Sequence, residues 1–234
     1  MIEGRSKAVF KQRARRPKDR RDRIEVVAME GFTGFKTVAS EELPDGVAVM
    51  DPFHVVRLPG NALDKCRQRV HQATRGHRDR SGTRLYAARR TLHTSEKLLT
   101  QKQLAGLQAL FAVDDHVEVE VTWSIYQQMI TAYREPDRTC GKSILRGLID
   151  SISIGVSAPL VEVITLGRTL TRRAVDVLAS FDRPGTSNGP TGAINGRLEH
   201  LRGSALGLKD LSNYIARSPL ESGGLGPLPH SGLR

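Results

Sequence analysis

Cysteine is almost absent from this chain. Two occur in 234 residues, Cys66 and Cys140, far apart and outside any C-x-x-C spacing. That excludes a disulfide framework and a cysteine-based zinc site, and it fits a reducing, cytoplasmic setting. The seven histidines form no H-x-x-x-H pair, so the helical zinc pair is missing as well. Long apolar runs are also lacking. No stretch approaches the roughly 20 residues that a membrane span needs, and no membrane partner is expected. The opening MIEGRSKAVFKQRARR has no apolar centre and no small-residue cleavage site, so it does not read as a signal peptide. Acidic charge is in short supply: 25 Asp and Glu stand against 36 Lys and Arg, a net charge of +11. That balance favours a polyanion, nucleic acid first. Residues 1–23 hold ten basic and three acidic side chains, so they supply +7 of the +11. The remainder is only mildly basic. No internal repeat is present.

What is there reads as helix, strand, helix, strand, and then a long helical stretch. Residues 2–16 have helical character, with Ala8, Val9 and Phe10 on the apolar side. IEVVAME, 24–30, is short, apolar and β-branched, the pattern of a buried strand. TVASEEL, 37–43, is a short helix ended by Pro44, and VAVMD, 47–51, is a second buried strand. This order predicts parallel strands joined by a crossover. Both strands end in a carboxylate, Glu30 and Asp51. On neighbouring strands both acids would stand at the carboxyl edge of one sheet, where open α/β sheets place their ligands. The simpler alternative is that each acid caps the helix or turn that follows it.

From Asn61 to Phe181 the pattern is mostly helical. TQKQLAGLQALF, 100–111, spaces Leu104, Leu107, Leu110 and Phe111 along one face. HVEVEVTWSIYQQMITAY, 116–133, alternates like a strand at first, but its length and aromatic spacing predict a helix. PLVEVITLGRTLTRRAVDVLASF, 159–181, predicts one long helix with Pro159 near its start. The tail from 218, SPLESGGLGPLPHSGLR, is rich in Gly, Pro and Ser and predicts disorder.

SNGPTGAINGRLEHLRGSALG, 187–207, reads as a turn feeding a helix. Pro190 suits the first helical position, and Ser187 or Asn188 can cap it. Ile194, Leu198 and Leu201 would form a core-facing stripe, with Gly192, Asn195, Gly196 and Glu199 on another face. Glycine costs a helix about 1 kcal/mol relative to alanine, so Gly192 in the first turn asks for a reason. Taken by itself, close backbone packing is the simplest one.

Several long stretches carry a resemblance to a known family. VVAMEGFTGFKT at 26–37, VAVMDPFHVVRL at 47–58 and FDRPGTSNGPTGAINGRLEHLRGSALG at 181–207 resemble bacterial insertion-sequence transposases of the ISL-three class. ARRTLHT and W-x-x-Y-Q-x-M-x-x-A-Y match in between, and the resemblance runs over roughly residues 2–222. These transposases belong to the DDE superfamily with an RNase H-like fold. The resemblance therefore implies an α/β chain, rich in helix overall, with a partial RNase H-like fold of parallel strands and crossover helices. Residues 1–57 and 181–218 would form that catalytic core, 58–180 a helical insertion, and 219–234 a disordered tail.

It also implies DNA transposition chemistry. In the family three carboxylates hold two Mg²⁺ ions, which activate a water and then a DNA 3′-hydroxyl for attack on a phosphodiester. Mapped onto this chain, the first Asp would lie upstream of Met1, so the chain is expected to be truncated at its N-terminus. The second acid falls at Glu30, where the family has Asp. Asp51 and His54 match a supporting D-x-x-H element near the metals. The third acid, Glu in P-T-E-A-I-N-G, falls at Gly192 and is lost. Of the metal-ligand candidates Glu30 and Asp51 remain, and productive Mg²⁺ binding is not expected. Arg168, Arg172, Arg173, Arg197 and Arg202 are the candidates for phosphate contact. The expected partners are DNA at transposon ends and, through oligomerisation, a second copy or an intact transposase. An inactive transposase fragment, a non-catalytic DNA-binding remnant and an unrelated metal hydrolase using Glu30 and Asp51 are the three readings open at this point.

Overall fold

The computed structural model describes residues 11, 21–30, 33–76, 82–190, 192–194 and 196–197. The predicted helix at 2–16, save Lys11, and the tail from 218 lie outside them. Strand β1 (Val26–Met29) is followed by helix α1 (Thr33–Glu42) and strand β2 (Val47–Met50). The two strands pair in parallel, with Val26 opposite Val47 and Met29 opposite Met50. The strand–helix–strand order and its parallel pairing match the sequence expectation. The expected burial holds less well. Only Met29 is buried in β1, and its other residues are half-buried.

Eight helices follow between Pro52 and Asp182. They are α2 (Pro52–Arg75), the short α3 (Arg84–Ala87) and α4 (Arg89–His93), α5 (Gln101–Phe111), α6 (Val117–Arg134), α7 (Arg138–Ile154), α8 (Val161–Arg172) and α9 (Ala174–Asp182), of which α3 and α4 form one short broken turn region. Local chemistry sets their ends. Asp51 caps α2, whose first residue is Pro52, and Gly76 closes it in the left-handed region at φ 71°. Thr100 and Gln103 form a reciprocal capping box on α5. Asp137 accepts from the backbone N–H groups of Thr139 and Cys140 at the start of α7. The strand-like alternation at 117–121 is overridden, and α6 is one continuous helix.

The stretch 159–181 departs from its expectation. It forms two helices, α8 and α9, broken at Arg173. The Arg173 N–H closes the end of α8 on the Thr169 and Leu170 carbonyls. Its side chain is buried and lies 3.3 Å from the Asp176 carboxylate. Burying that pair takes precedence over a straight helix. The expected domain boundaries at 57/58 and 180/181 both fall inside helices, α2 and α9.

Helix α2 is the spine of the molecule. It packs on α6 and α8, α6 packs on α7, and α9 covers β2. One core cluster joins Met50 and Val55 to Met129, Leu145, Val163 and Leu170. A second gathers Leu63, Cys66, Leu92, Leu107, Val119 and Tyr126. Val56 packs against both. Arg69 on α2 ties three helices together: it lies 2.6 Å from Glu118 and 2.8 Å from Glu162, and it also donates to the Pro159 carbonyl. Two glycines let the helices approach closely. A Cβ at Gly141 would meet the Ala132 carbonyl oxygen at 2.5 Å, and one at Gly167 would collide with Ile152.

Two predictions follow from this packing. Gly141→Ala is expected to destabilise the chain by about 1–3 kcal/mol, because a backbone oxygen stands in the way. Gly147→Ala, on the same helix in open space, should be neutral or stabilise by about 0.5–1 kcal/mol; paired thermal melts decide. The second concerns acid. The Arg69 hydrogen bonds hold the Glu162 carboxyl below its ordinary value of 4.5. A lowered folded pKa stabilises above the ordinary value and loses that contribution as the pH falls through the folded one. Glu162→Gln is therefore expected to cost about 1 kcal/mol near neutral pH, the screened value for a pair that water reaches. Below pH 4.5 its unfolding free energy should decline less steeply than that of the wild type, as urea titrations across that range would measure.

Candidate functional site

The parallel register places Glu30 and Asp51 side by side, each one residue past its strand. The Asp51 N–H donates to the Met29 carbonyl at 3.1 Å. Asp51 is also the cap of α2, its Oδ1 accepting from the Phe53 N–H at 2.8 Å. Its other oxygen reaches across the chain, where Oδ2 accepts from the Asn188 N–H at 2.6 Å and from the Ser187 hydroxyl at 3.2 Å. The residue is only 4% exposed. The capping alternative thus describes one Asp51 oxygen, and the second oxygen does something capping does not require.

His54 follows in the first turn of α2, and its Nε2 stands 3.4 Å from Glu30 Oε1. Glu30 itself is more than half exposed. The structure therefore brings Glu30, Asp51 and His54 to one sheet edge and draws the Ser187–Asn188 turn onto them. Behind the edge, Asp176 on α9 is buried and accepts two hydrogen bonds from Lys36 Nζ, at 2.9 and 2.8 Å. Tyr133 stacks on Phe181 with ring centroids 5.1 Å apart. Burial pushes its phenol up to about 12, and the Asp51 charge acts in the same direction.

The final helix begins at the turn. The Gly192 N–H donates to the Asn188 carbonyl at 2.7 Å, so Asn188 is its first helical acceptor, as the predicted cap required. Gly192 is exposed, and a Cβ built on it meets nothing within 4 Å. Close packing therefore does not account for this glycine. Ile194 is 37% exposed, so it does not serve the expected core-facing stripe. Leu198, Glu199, Leu201 and Arg202 lie outside the described residues, as does Asn195.

The arginine candidates divide. Arg168 and Arg172 are exposed, one turn apart on α8, and neither meets a carboxylate among the described residues. They line an open groove of about 590 Å³ between α7 and α8. Arg197 is exposed on the final helix. Arg173 corrects the expectation. It is 4% exposed, pairs with Asp176 and directs Nη2 toward the Met29 sulfur at 3.9 Å, so it presents no charge to a phosphate at the surface. Residue patterning missed the Ser187 and Asn188 contacts to Asp51, and it missed the Lys36–Asp176 pair behind the strands. Only the Ser-Asn-Gly-Pro turn hinted at the first, and nothing in the pattern announced the second.

No group of three or more His, Cys, Asp or Glu able to hold a metal occurs among the described residues. Among them, too, no helix is long and apolar enough to cross a membrane. The open surroundings of Gly192 predict that Gly192→Ala leaves the fold intact and firms the helix by about 1 kcal/mol, read as slower amide exchange over residues 188–197. A loss of folding would show that glycine is required there.

Comparison with curated proteins and with solved structures found no match. A family model described as a transposase matches residues 1–218, nearly the whole chain. It spans the strand ends, the His54 turn and the helix that carries Gly192. The chain belongs to the ISL-three class of DDE transposases.

Proposed function

We propose that this chain is a transposase-family protein whose carboxylate site is incomplete, so that it neither cuts nor joins DNA. The observation that carries this reading is Gly192. It is exposed on a helix whose first turn is bound to the sheet edge, with open space where a side chain would stand. Such a position has room for a carboxylate, and it presents none. On this reading the parallel strands are part of an RNase H-like core. Residues 1–57 and 181–218 build that core, 58–180 are its helical insertion, and 219–234 are a tail.

The family's chemistry uses Mg²⁺, a hard cation that takes oxygen ligands. The residues here do not fit a pair of such ions. Glu30 offers one carboxylate, one methylene longer than the family's Asp, and a displacement of about 1 Å can cost roughly 100-fold. His54 offers nitrogen, Asp51 has both oxygens engaged by hydrogen-bond donors, and position 192 offers nothing.

A second reading is a non-catalytic DNA-binding or oligomerising remnant that occupies the ends an intact transposase would use. The exposed Arg168 and Arg172 favour it, since two exposed guanidinium groups one turn apart match neighbouring phosphates.

One set of assays addresses both. With Mg²⁺ and supercoiled DNA, neither the wild type nor Gly192→Glu is expected to nick, because restoring one ligand leaves the others wanting. Nicking by Gly192→Glu would overturn the first reading. Binding to duplex DNA should weaken steeply with salt, and Arg168→Ala with Arg172→Ala should reduce the log–log salt slope by about 2. An unchanged slope removes those arginines from the interface.

A further inference from the structure

We propose that Asp51 is a positioning residue: its carboxylate clamps the first turn of the final helix and so sets where the side chain at 192 stands relative to the strand ends. The significance of position 192 rests on the reading given above, but the clamp itself does not.

The geometry points to a clamp because Asp51 is over-supplied for a cap. A cap uses one side-chain oxygen, and the contact from Phe53 N–H to Oδ1 at 2.8 Å fills that role. Oδ2 instead takes the Asn188 N–H at 2.6 Å and the Ser187 hydroxyl at 3.2 Å. A carboxylate this buried must find donors to offset lost water, and charge-assisted bonds are the strong ones. The turn is braced in return, for Ser187 Oγ also accepts from the Gly189 N–H at 2.9 Å. From Asn188 the path to residue 192 is one further bond, Gly192 N–H to Asn188 carbonyl at 2.7 Å.

Among the described residues, little else holds this helix start. Every described residue from Gly189 to Arg197 is exposed, and no described atom lies within 4 Å of a Cβ built at Gly192. The helix therefore has almost no apolar anchorage of its own over this span. A pivot of the turn would move any side chain at 192 relative to the strand ends. Asp51 stands where it can prevent that, one residue past β2 in register with the end of β1.

Asp51→Asn separates the clamp from the cap. Asparagine caps helices about as well as aspartate, so α2 keeps its start. Asparagine has only one acceptor oxygen, however, so its amide cannot serve both Phe53 N–H and Asn188 N–H. Nitroxide labels on the exposed Cys140 and on Gly192→Cys, with buried Cys66 left unlabelled, give a pulsed-EPR distance across the clamp. With Asp51 the distribution should be single and narrow. With Asp51→Asn it should broaden, while the melting temperature changes little. Amide exchange at Asn188 should quicken about 10- to 100-fold, the loss of one charge-assisted bond, with exchange at Met129 and Leu145 unchanged. A narrow distribution in Asp51→Asn overturns the proposal, and a lowered melting temperature with a narrow distribution would make Asp51 a helix cap and nothing more. Should Asp51→Asn fail to fold, Ser187→Ala removes one donor and keeps the charge, and it must broaden the same distribution or the proposal fails. None of these readouts uses DNA cleavage. A failed clamp would leave the reading of position 192 standing, and nicking by Gly192→Glu would leave the clamp standing.

Discussion

One buried carboxylate connects the parts of this molecule that the chain order keeps apart. Asp51 receives the Phe53 N–H, the Asn188 N–H and the Ser187 hydroxyl, and through its own N–H it is tied to the end of β1. A charge that is 4% exposed is expensive unless donors surround it. Here the donors come from two segments, the start of α2 and the Ser187–Asn188 turn, so the need to satisfy the charge is also what gathers them. Glu30 and His54 share the edge because the strands are in register, and the final helix joins them because Asp51 has a second oxygen to fill.

The helices behind this edge hold it by similar means. Asp176 on α9 meets Lys36 of α1 and Arg173 at the α8–α9 break, so α1 and α9 are pinned to each other. Farther away Arg69 joins α2, α6 and α8. Between these charged struts the contact is apolar and close, and at Gly141 and Gly167 it depends on a missing Cβ. Helix α2 belongs to both core clusters and also bears Asp51 at its head. The sheet edge and the helical stretch are thus packed as one body, although the family resemblance treats the second as an insertion into the first.

How much of this was legible in the sequence depended on the distance between partners. The strand–helix–strand order, the parallel pairing and the face of α5 follow from residue spacing, because a period of two or of 3.6 is a local property. The α8–α9 break did not, since its cause is a buried side chain and not a helix-breaking residue. The stretch 63–73 reads as polar, yet Cys66, Arg67 and His71 are buried, because α2 is surrounded on several sides and cannot keep one wet face for every charge. At the site, Asp51 as a cap was readable from Asp-Pro before an apolar run. Its partner at Asn188 was not, because 137 residues separate them. Gly192 drew attention as a glycine in a first helical turn, the resemblance gave the position a role, and the described surroundings then offered no packing explanation for it.

The state of position 192 shows that scaffold and chemistry are separable in this fold. On the reading proposed above, a carboxylate at 192 could be lost without disturbing its helix, because among the described residues a Cβ there meets nothing within 4 Å and the backbone bond to Asn188 survives any substitution short of proline. Losing Asp51 is a different kind of change. It would leave three donors unsatisfied and release the turn, a cost felt whether or not any chemistry takes place. If catalysis no longer constrained this chain, as proposed above, a residue at an exposed position would be free to drift, while a buried residue with three donors would remain under the constraint of folding. On that reading the same asymmetry would account for a chain that keeps Asp51 and its donors while positions 30 and 192 depart from the family's acids.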